Sequence, residues 1–198
     1  MALFRSDSVD APTLEVTSQM IGNPIEEARF QLESAIETHF DAVHRPLSRF
    51  DVDEKFNPAE FDDPTSIRDV AYDSDSECYE AERLIRIGEI GEGMKTITIT
   101  DLPIYHKRRN NIFGMSYLAG DISLVTTAEF YEDGQWTDQS SEWMRNEVIK
   151  LMGQMLGVAD CTTEGCVMQY TGNKQALSEL DEYICGECCE TIGEEHLR

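Results

Sequence analysis

The order of hydrophobic patterns along the chain predicts an α+β fold: a mixed β-sheet with packed helices and a C-terminal four-cysteine segment. Three observations carry this reading. Lys95 to Asp101, "KTITITD", alternates β-branched residues at the period of a strand. Two longer stretches, residues 23–40 and 137–157, repeat apolar residues at the helical period. The patterns also interleave, as strand, helix, strand, helix, strand, strand, long helix and cysteine-rich end, which suits one layered domain.

Taken in order, residues 1–12 are polar and expected to be a flexible N-terminus. "TLEVTSQMIG", Thr13 to Gly22, partly alternates and predicts a first strand. A helix follows, with Asn23 as N-cap and Pro24 at its first position, where the missing N–H has no intrahelical partner to lose. Ile25, Ala28, Phe30, Leu32, Ala35, Ile36 and Phe40 form its stripe. "DAVHRPLSRF" reads as a second strand, and Asp51 to Glu77 as a long connection rich in Asp, Pro and Ser. "CYEAERLIRIGEI" predicts a second helix, and short strands are expected near "FGMSYLAG" and in "DISLVTTAEFY". The long helix has Trp143, Val148, Leu151, Met152 and Met155 on its apolar face and Gly157 as its stop. The domain is expected to span 13–189, with 190–198 a flexible tail.

The charge is lopsided: 39 acids against 16 bases, a net charge of -23. Acids are spread along the whole chain, so an acidic tail is not the cause. An acid-rich, lysine-poor surface suits a salty cytoplasm, where ions screen the self-repulsion. A halophilic, cytoplasmic protein is therefore expected. Direct nucleic-acid binding is not, because counterion release needs clustered cations and only His106 to Asn110, "HKRRN", offers a cluster. No apolar run is long enough to span a bilayer, and "MALFRSDSVD" lacks a signal peptide's apolar stretch.

Five of the six cysteines crowd the end of the chain, and four fall as Cys161-x4-Cys166 and Cys185-x2-Cys188. Two close pairs joined by a loop supply the four corners of a tetrahedral zinc–thiolate site. One structural zinc ion is the expected cofactor at Cys161, Cys166, Cys185 and Cys188. Cys189, beside Cys188, competes as the fourth ligand, although a Cys-x2-Cys step suits one metal better. Cys78 lies far off and is expected to be an ordinary buried residue.

Several segments carry a family likeness. "RNEVIKLMGQMLGVADC", "CTTEGCVM" and "ICGEC" resemble the zinc helix, the Cys-x4-Cys-x-Met and the distal Cys-x2-Cys of the archaemetzincins, a family of zinc-dependent metzincin peptidases. "TITITDLPIYHKRRNNIFGMSYLAG" is similar to the strand, Asp, Tyr and Arg-Asn-x-x-Phe-Gly segment of that family. "YDSDSECYEAERLI" is similar to the stretch that opens the family's second helix. The resemblance covers residues 13–189 and implies a metzincin-like fold with its segment 161–189 built around zinc.

The resemblance also exposes a departure. The family's helix reads His-Glu-x-x-His-x-x-Gly-x-x-His, three histidines holding zinc and a glutamate acting as base on the zinc-bound water. With the glycine set on Gly157 and the first cysteine on Cys161, those positions fall on Lys150, Leu151, Gln154 and Asp160. All four are changed. A lysine ammonium has no acceptor, a glutamine is a weak neutral ligand, and a leucine cannot activate water. A second register, "NEVIK" with Glu147 as a surviving base, fails because its third ligand falls on Leu156, five residues before Cys161. Glu147 is thus expected to be a surface acid. Lys150 and Asp160 either form an ion pair across the gap the metal would span, with Gln154 between them, or both face solvent. Met168 stands at the family's Met-turn and is expected to pack on Met152 or Leu156.

These residues imply a catalytically inactive relative, a pseudopeptidase acting as a binding or assembly module. The old substrate cleft and an edge strand at 121–130 are the expected surface for a protein or peptide partner, since strand addition needs no catalyst. The alternative is a zinc-dependent metallopeptidase or other hydrolase with an altered active site, drawing on Lys150, Asp160, Tyr170 or His106.

Overall fold

The structure, a computed structural model, describes residues 14–55, 64–87, 94–107 and 112–198. In chain order the elements are β1 (Leu14–Ile21), α1 (Glu26–His39), β2 (Ala42–Phe50), α2 (Ile67–Ala71), β3 (Tyr72–Asp73), β4 (Cys78–Glu80) and α3 (Ala81–Ile87). They continue as β5 (Lys95–Thr100), β6 (Ile104–Tyr105), β7 (Gly114–Ser116), β8 (Ile122–Thr126), α4 (Asp138–Met155), α5 (Lys174–Ser178) and α6 (Gly186–Ile192). Residues 1–12, expected to be flexible, lie outside the described residues.

The main sheet runs β2-β1-β5-β8-β7. The first four strands are parallel and β7 returns antiparallel to β8. A sheet buried on both faces needs a layer on each side. Val16, Ile97, Ile99 and Val125 point to one face and pack with α1 and α4. Ile21, Ile122 and Leu124 point to the other and pack with α2 and α3. On that second face the threonines of "KTITITD" are buried as well and need partners: Thr17 Oγ1 lies 3.0 Å from Thr96 Oγ1, and Gln19 Nε2 donates to Thr98 Oγ1 at 2.6 Å. The mixed sheet and packed helices are those the sequence patterns imply.

The register corrects one expectation. The strand within 121–130 is not an edge strand, because β8 pairs with β5 on one side and with β7 on the other. The edge on that side is β7, the short strand expected near "FGMSYLAG".

Other elements differ locally. α1 begins at Glu26 with Ile25 in the cap position, while the Asn23 N–H donates to Asp101 Oδ1 at 3.0 Å. Glu26 and Glu27 in its first turn favour the positive helix end. Phe30, counted in the apolar stripe, is 61% exposed. The connection after β2 holds α2, nucleated by a capping box in which Ser66 and Asp69 satisfy each other's backbone N–H. The helix expected from Cys78 starts only at Ala81, because Cys78–Glu80 pairs with both β3 and β6. Sheet pairing there overrides helical propensity. Cys78 is partly exposed on that strand, not buried.

The tail 190–198 is placed against α1: the Asp41 N–H donates to His196 O at 3.0 Å and the Arg198 N–H to His39 O at 3.2 Å. No helix among the described residues is long and apolar enough to cross a membrane.

α4 positions the site. Thr137 caps its start through Ser140 N–H, and Gly157, at φ +97°, turns the chain away past its end. Trp143, Val148, Leu151, Met152 and Met155 are buried as their spacing implies. So are Asn146, Glu147 and Lys150, since the helix is covered by the sheet on one side and the cysteine segment on another.

Candidate functional site

A cleft of about 360 Å³ lies between β7 and the C-terminal half of α4. Gly114, Met115 and Ser116 form one wall; Glu147, Lys150 and Gln154 form the other; Asp160, Tyr170 and Thr171 close it from the segment after the turn. His106 lines it as well, with Nε2 3.3 Å from Glu82 Oε1. Three of the four residues matched by resemblance to the family's motif, Lys150, Gln154 and Asp160, thus share one cavity. Leu151 lies behind its wall, 1% exposed, in the core.

The cleft's charges are arranged otherwise than the spacing suggested. Among the described residues no ion pair joins Lys150 to Asp160. Lys150 Nζ instead donates to Glu147 Oε2 at 3.0 Å and to Thr171 Oγ1 at 2.7 Å. Glu147 is 2% exposed and Lys150 7%, whereas Asp160 is exposed. Glu147 is therefore not a surface acid: a carboxylate this buried is held by the cation one helical turn away. Its other oxygen sits over Gly114, where a Cβ would come within 2.8 Å of Glu147 Oε1 and 2.8 Å of Leu124 O. The edge strand approaches the helix this closely because residue 114 has no side chain.

Thr171 was missed by sequence reasoning, and nothing in its local pattern marks it. Glu147 and Lys150, three apart on a helix, are a recognisable pair, but the spacing alone does not say that it is buried. His106, which the alternative hydrolase reading drew on, does line the cleft. His44 sits on β2, at the opposite end of the sheet, with Nε2 3.0 Å from Ser18 Oγ. Of the basic stretch His106 to Asn110, Lys107 is paired with Glu80 at 2.9 Å, and residues 108–110 lie outside the described residues.

Below the cleft, the turn after Gly157 brings four cysteines together. The sulfurs of Cys161, Cys166, Cys185 and Cys188 all lie within 4.8 Å of one another. Cys161 and Cys185 are 3.7 Å apart, Cys166 and Cys188 3.9 Å. Zn–S bonds of about 2.3 Å at tetrahedral angles require edges of about 3.8 Å. These spacings suit a metal ion, and Cys188 is the fourth member of the group. Cys189 points elsewhere, its thiol donating to Ile184 O at 3.5 Å.

The thiols are not equivalent. The Cys188 N–H beside Cys185 holds that thiol down at about 6. Burial pushes Cys166 and Cys188 up. One sulfur is thus poised as a thiolate, and a metal ion would supply the charge the buried ones need. Among the described residues no other group of three or more His, Cys, Asp or Glu side chains brings its ligand atoms together. In the cleft, Lys150 offers no lone pair while paired, so the residues there do not fit a three-ligand catalytic zinc.

Met168 is fully buried, and its backbone oxygen accepts from the Cys161 N–H at 2.9 Å. Its sulfur lies over Gly153, where a Cβ would come within 2.5 Å. Met152 shares the same core cluster and Leu156 packs at its edge.

A parallel sheet closed by one antiparallel edge strand, a long helix beneath it, a glycine turn and a buried methionine define a metzincin-type peptidase framework. The chain belongs to peptidase family M54, whose model matches residues 74–194. The archaemetzincin of Natronomonas pharaonis is 34% identical over 138 residues, 66% of this chain and 80% of that protein. The archaemetzincin of Halobacterium salinarum is 31% identical over 142 residues, 68% and 80% of the two chains. Among solved structures, the archaemetzincin of Methanopyrus kandleri superposes with a TM-score of 0.73 over 92% of this chain and 95% of that one, at 16% identity. That of Archaeoglobus fulgidus, complexed with malonate, gives 0.73 over 90% and 99%, at 20% identity.

Proposed function

We propose that this chain is a catalytically inactive archaemetzincin, holding one structural zinc ion at Cys161, Cys166, Cys185 and Cys188 and binding an extended peptide segment in the cleft beside β7. The observation that carries the reading is the Lys150 ammonium. It stands where the family has a zinc-binding histidine, and its donors are committed to Glu147 and Thr171. A cation fixed at that point repels a metal ion, and Gln154 and Asp160 alone are too few ligands to hold one. The cleft has two features that strand addition uses: an edge strand and a cavity beside it.

The net charge of -23 and the halophilic archaeal sources of the related archaemetzincins support a salt-rich cytoplasm as its setting. A hydrolase with altered chemistry would need a base beside a nucleophile. Thr171 accepts a hydrogen bond from Lys150 Nζ, which is the wrong direction for activation.

The test is a peptidase assay in high salt on an unfolded protein substrate, with added zinc and with chelator. No cleavage above background is expected in either condition. Zinc-dependent, chelator-sensitive turnover by the purified protein would refute the proposal.

A further inference from the structure

We infer that the four-cysteine site is a peroxide-responsive switch: oxidation releases the zinc ion and leaves two disulfides, Cys161–Cys185 and Cys166–Cys188, which hold the segment folded in its place. This rests on zinc at these cysteines, as proposed above, and adds how the site answers an oxidant.

The pairing follows from how the sulfurs face one another. Cysteines close in sequence lie on the same segment, Cys161 and Cys166 after the turn that ends α4, Cys185 and Cys188 at the start of α6. Two thiol–thiol hydrogen bonds run across the segments instead, Cys161 to Cys185 at 3.7 Å and Cys166 to Cys188 at 3.9 Å. A disulfide holds its sulfurs about 2.05 Å apart, so each pair has to close by less than about 2 Å. The pairs share no member, so both can form and no ligand is left over. The segments also meet without a metal: Val167 N–H donates to Tyr183 O at 2.8 Å, and Cys185 N–H to Cys166 Sγ at 3.5 Å. Those contacts keep the facing sulfurs in register.

Access sets the entry point. Cys161 is partly exposed, while Cys166, Cys185 and Cys188 are buried. A thiolate that solvent reaches is the one a peroxide oxidises first. The Cys161 sulfur attacks the peroxide, forming an S–O bond as the O–O bond breaks, and hydroxide leaves and takes a proton. The Cys185 thiolate then attacks the Cys161 sulfur: the S–S bond forms, the S–O bond breaks, and a second hydroxide leaves as water. Two electrons have passed from sulfur to oxygen. A second peroxide oxidises Cys166 and Cys188 in the same way, once the first disulfide has withdrawn two ligands from the ion. In sum, four thiolates, two peroxides and four protons give two disulfides and four waters. A chelator, by contrast, takes the ion and leaves four separate thiols. Cys189 stands outside both pairs, its thiol directed at Ile184 O.

Zinc-loaded protein and Cys189→Ser would be treated with hydrogen peroxide. Released zinc is read with a chromogenic indicator and free thiols are counted in denaturant. Disulfides are mapped by mass spectrometry after cleavage at Glu164, Lys174 and Glu187, which separates the four ligands. One zinc ion per chain should be released as the six thiols fall to two, Cys78 and Cys189, with the two named disulfides formed. Cys189→Ser should release the same amount of zinc. The oxidised, metal-free protein should melt above the chelated, reduced one, and dithiothreitol with zinc should restore the starting state. Zinc retained in excess peroxide, sulfinic or sulfonic acids in place of disulfides, any other pairing, or melting no higher than the chelated form overturns the inference and leaves the zinc site standing. Protein that holds no zinc when purified under reducing conditions overturns the zinc site, and the inference with it.

Discussion

Lys150→Met is expected to destabilise the fold by about 3–5 kcal/mol, the cost of leaving one member of a buried ion pair alone. Glu147 is 2% exposed and keeps no other cation within reach among the described ion pairs. The substitution also removes the bond to Thr171, which ties α4 to the segment after its turn. Replacing both partners, Glu147→Leu with Lys150→Met, should recover most of the loss, because two apolar side chains of similar volume carry no desolvation cost. Urea denaturation of the four proteins in a double-mutant cycle reads this directly. A single-mutant loss below about 1 kcal/mol would mean that the pair is not buried as described.

The second large effect belongs to the cysteines. Chelation, or Cys166→Ser, is expected to unfold the segment from Cys161 to Ile192 and to lower the melting temperature of the whole domain. The segment's own apolar content is small, and structural zinc supplies about 10–16 kcal/mol of apparent binding free energy in zinc-finger peptides. The loss is not confined to the segment, since Leu177, Leu180, Cys185 and Ile192 belong to the same core cluster as α1 and α4. Acid should have the same effect. The ligands bind as thiolates, and protons compete for them, so affinity falls as pH falls. Burial pushes Cys166 and Cys188 up, which favours their protonated forms once metal leaves. Zinc release followed with a chromogenic chelator during an acid titration, alongside far-UV dichroism, checks both. Full retention of structure after complete zinc removal would contradict this.

Much of this was legible in the sequence. Alternation in Lys95 to Asp101 gave β5, the stripe through Leu32, Ala35 and Ile36 gave α1, and the spacing of the four cysteines gave their convergence. These are short-range patterns with one physical cause each. The cleft's interior was not legible. Glu147 was expected at the surface because charged residues rarely lie inside, and a single apolar stripe suggested one buried face. α4 is covered on more than one side, so polar residues beside the stripe are buried and must pair. For Lys150 and Asp160 two readings stood open, an ion pair across the gap a metal would span or both facing solvent. Gly157, at φ +97°, turns the chain so that Asp160 ends exposed while Thr171 meets the ammonium instead. The edge position was misplaced because a strand's neighbours are not written in its own pattern: the short strand expected near "FGMSYLAG" pairs with Ser123 to Val125 and so lies outside β8.

The central claim is that the cleft holds an ion pair and no metal. Zinc content per chain of the purified protein, with the ion located by anomalous scattering at the zinc edge, tests it most directly. One zinc ion per chain is expected, at Cys161, Cys166, Cys185 and Cys188, with no peak between Lys150, Gln154 and Asp160. Two ions per chain, the second in the cleft, would contradict it and return the protein to the active peptidases.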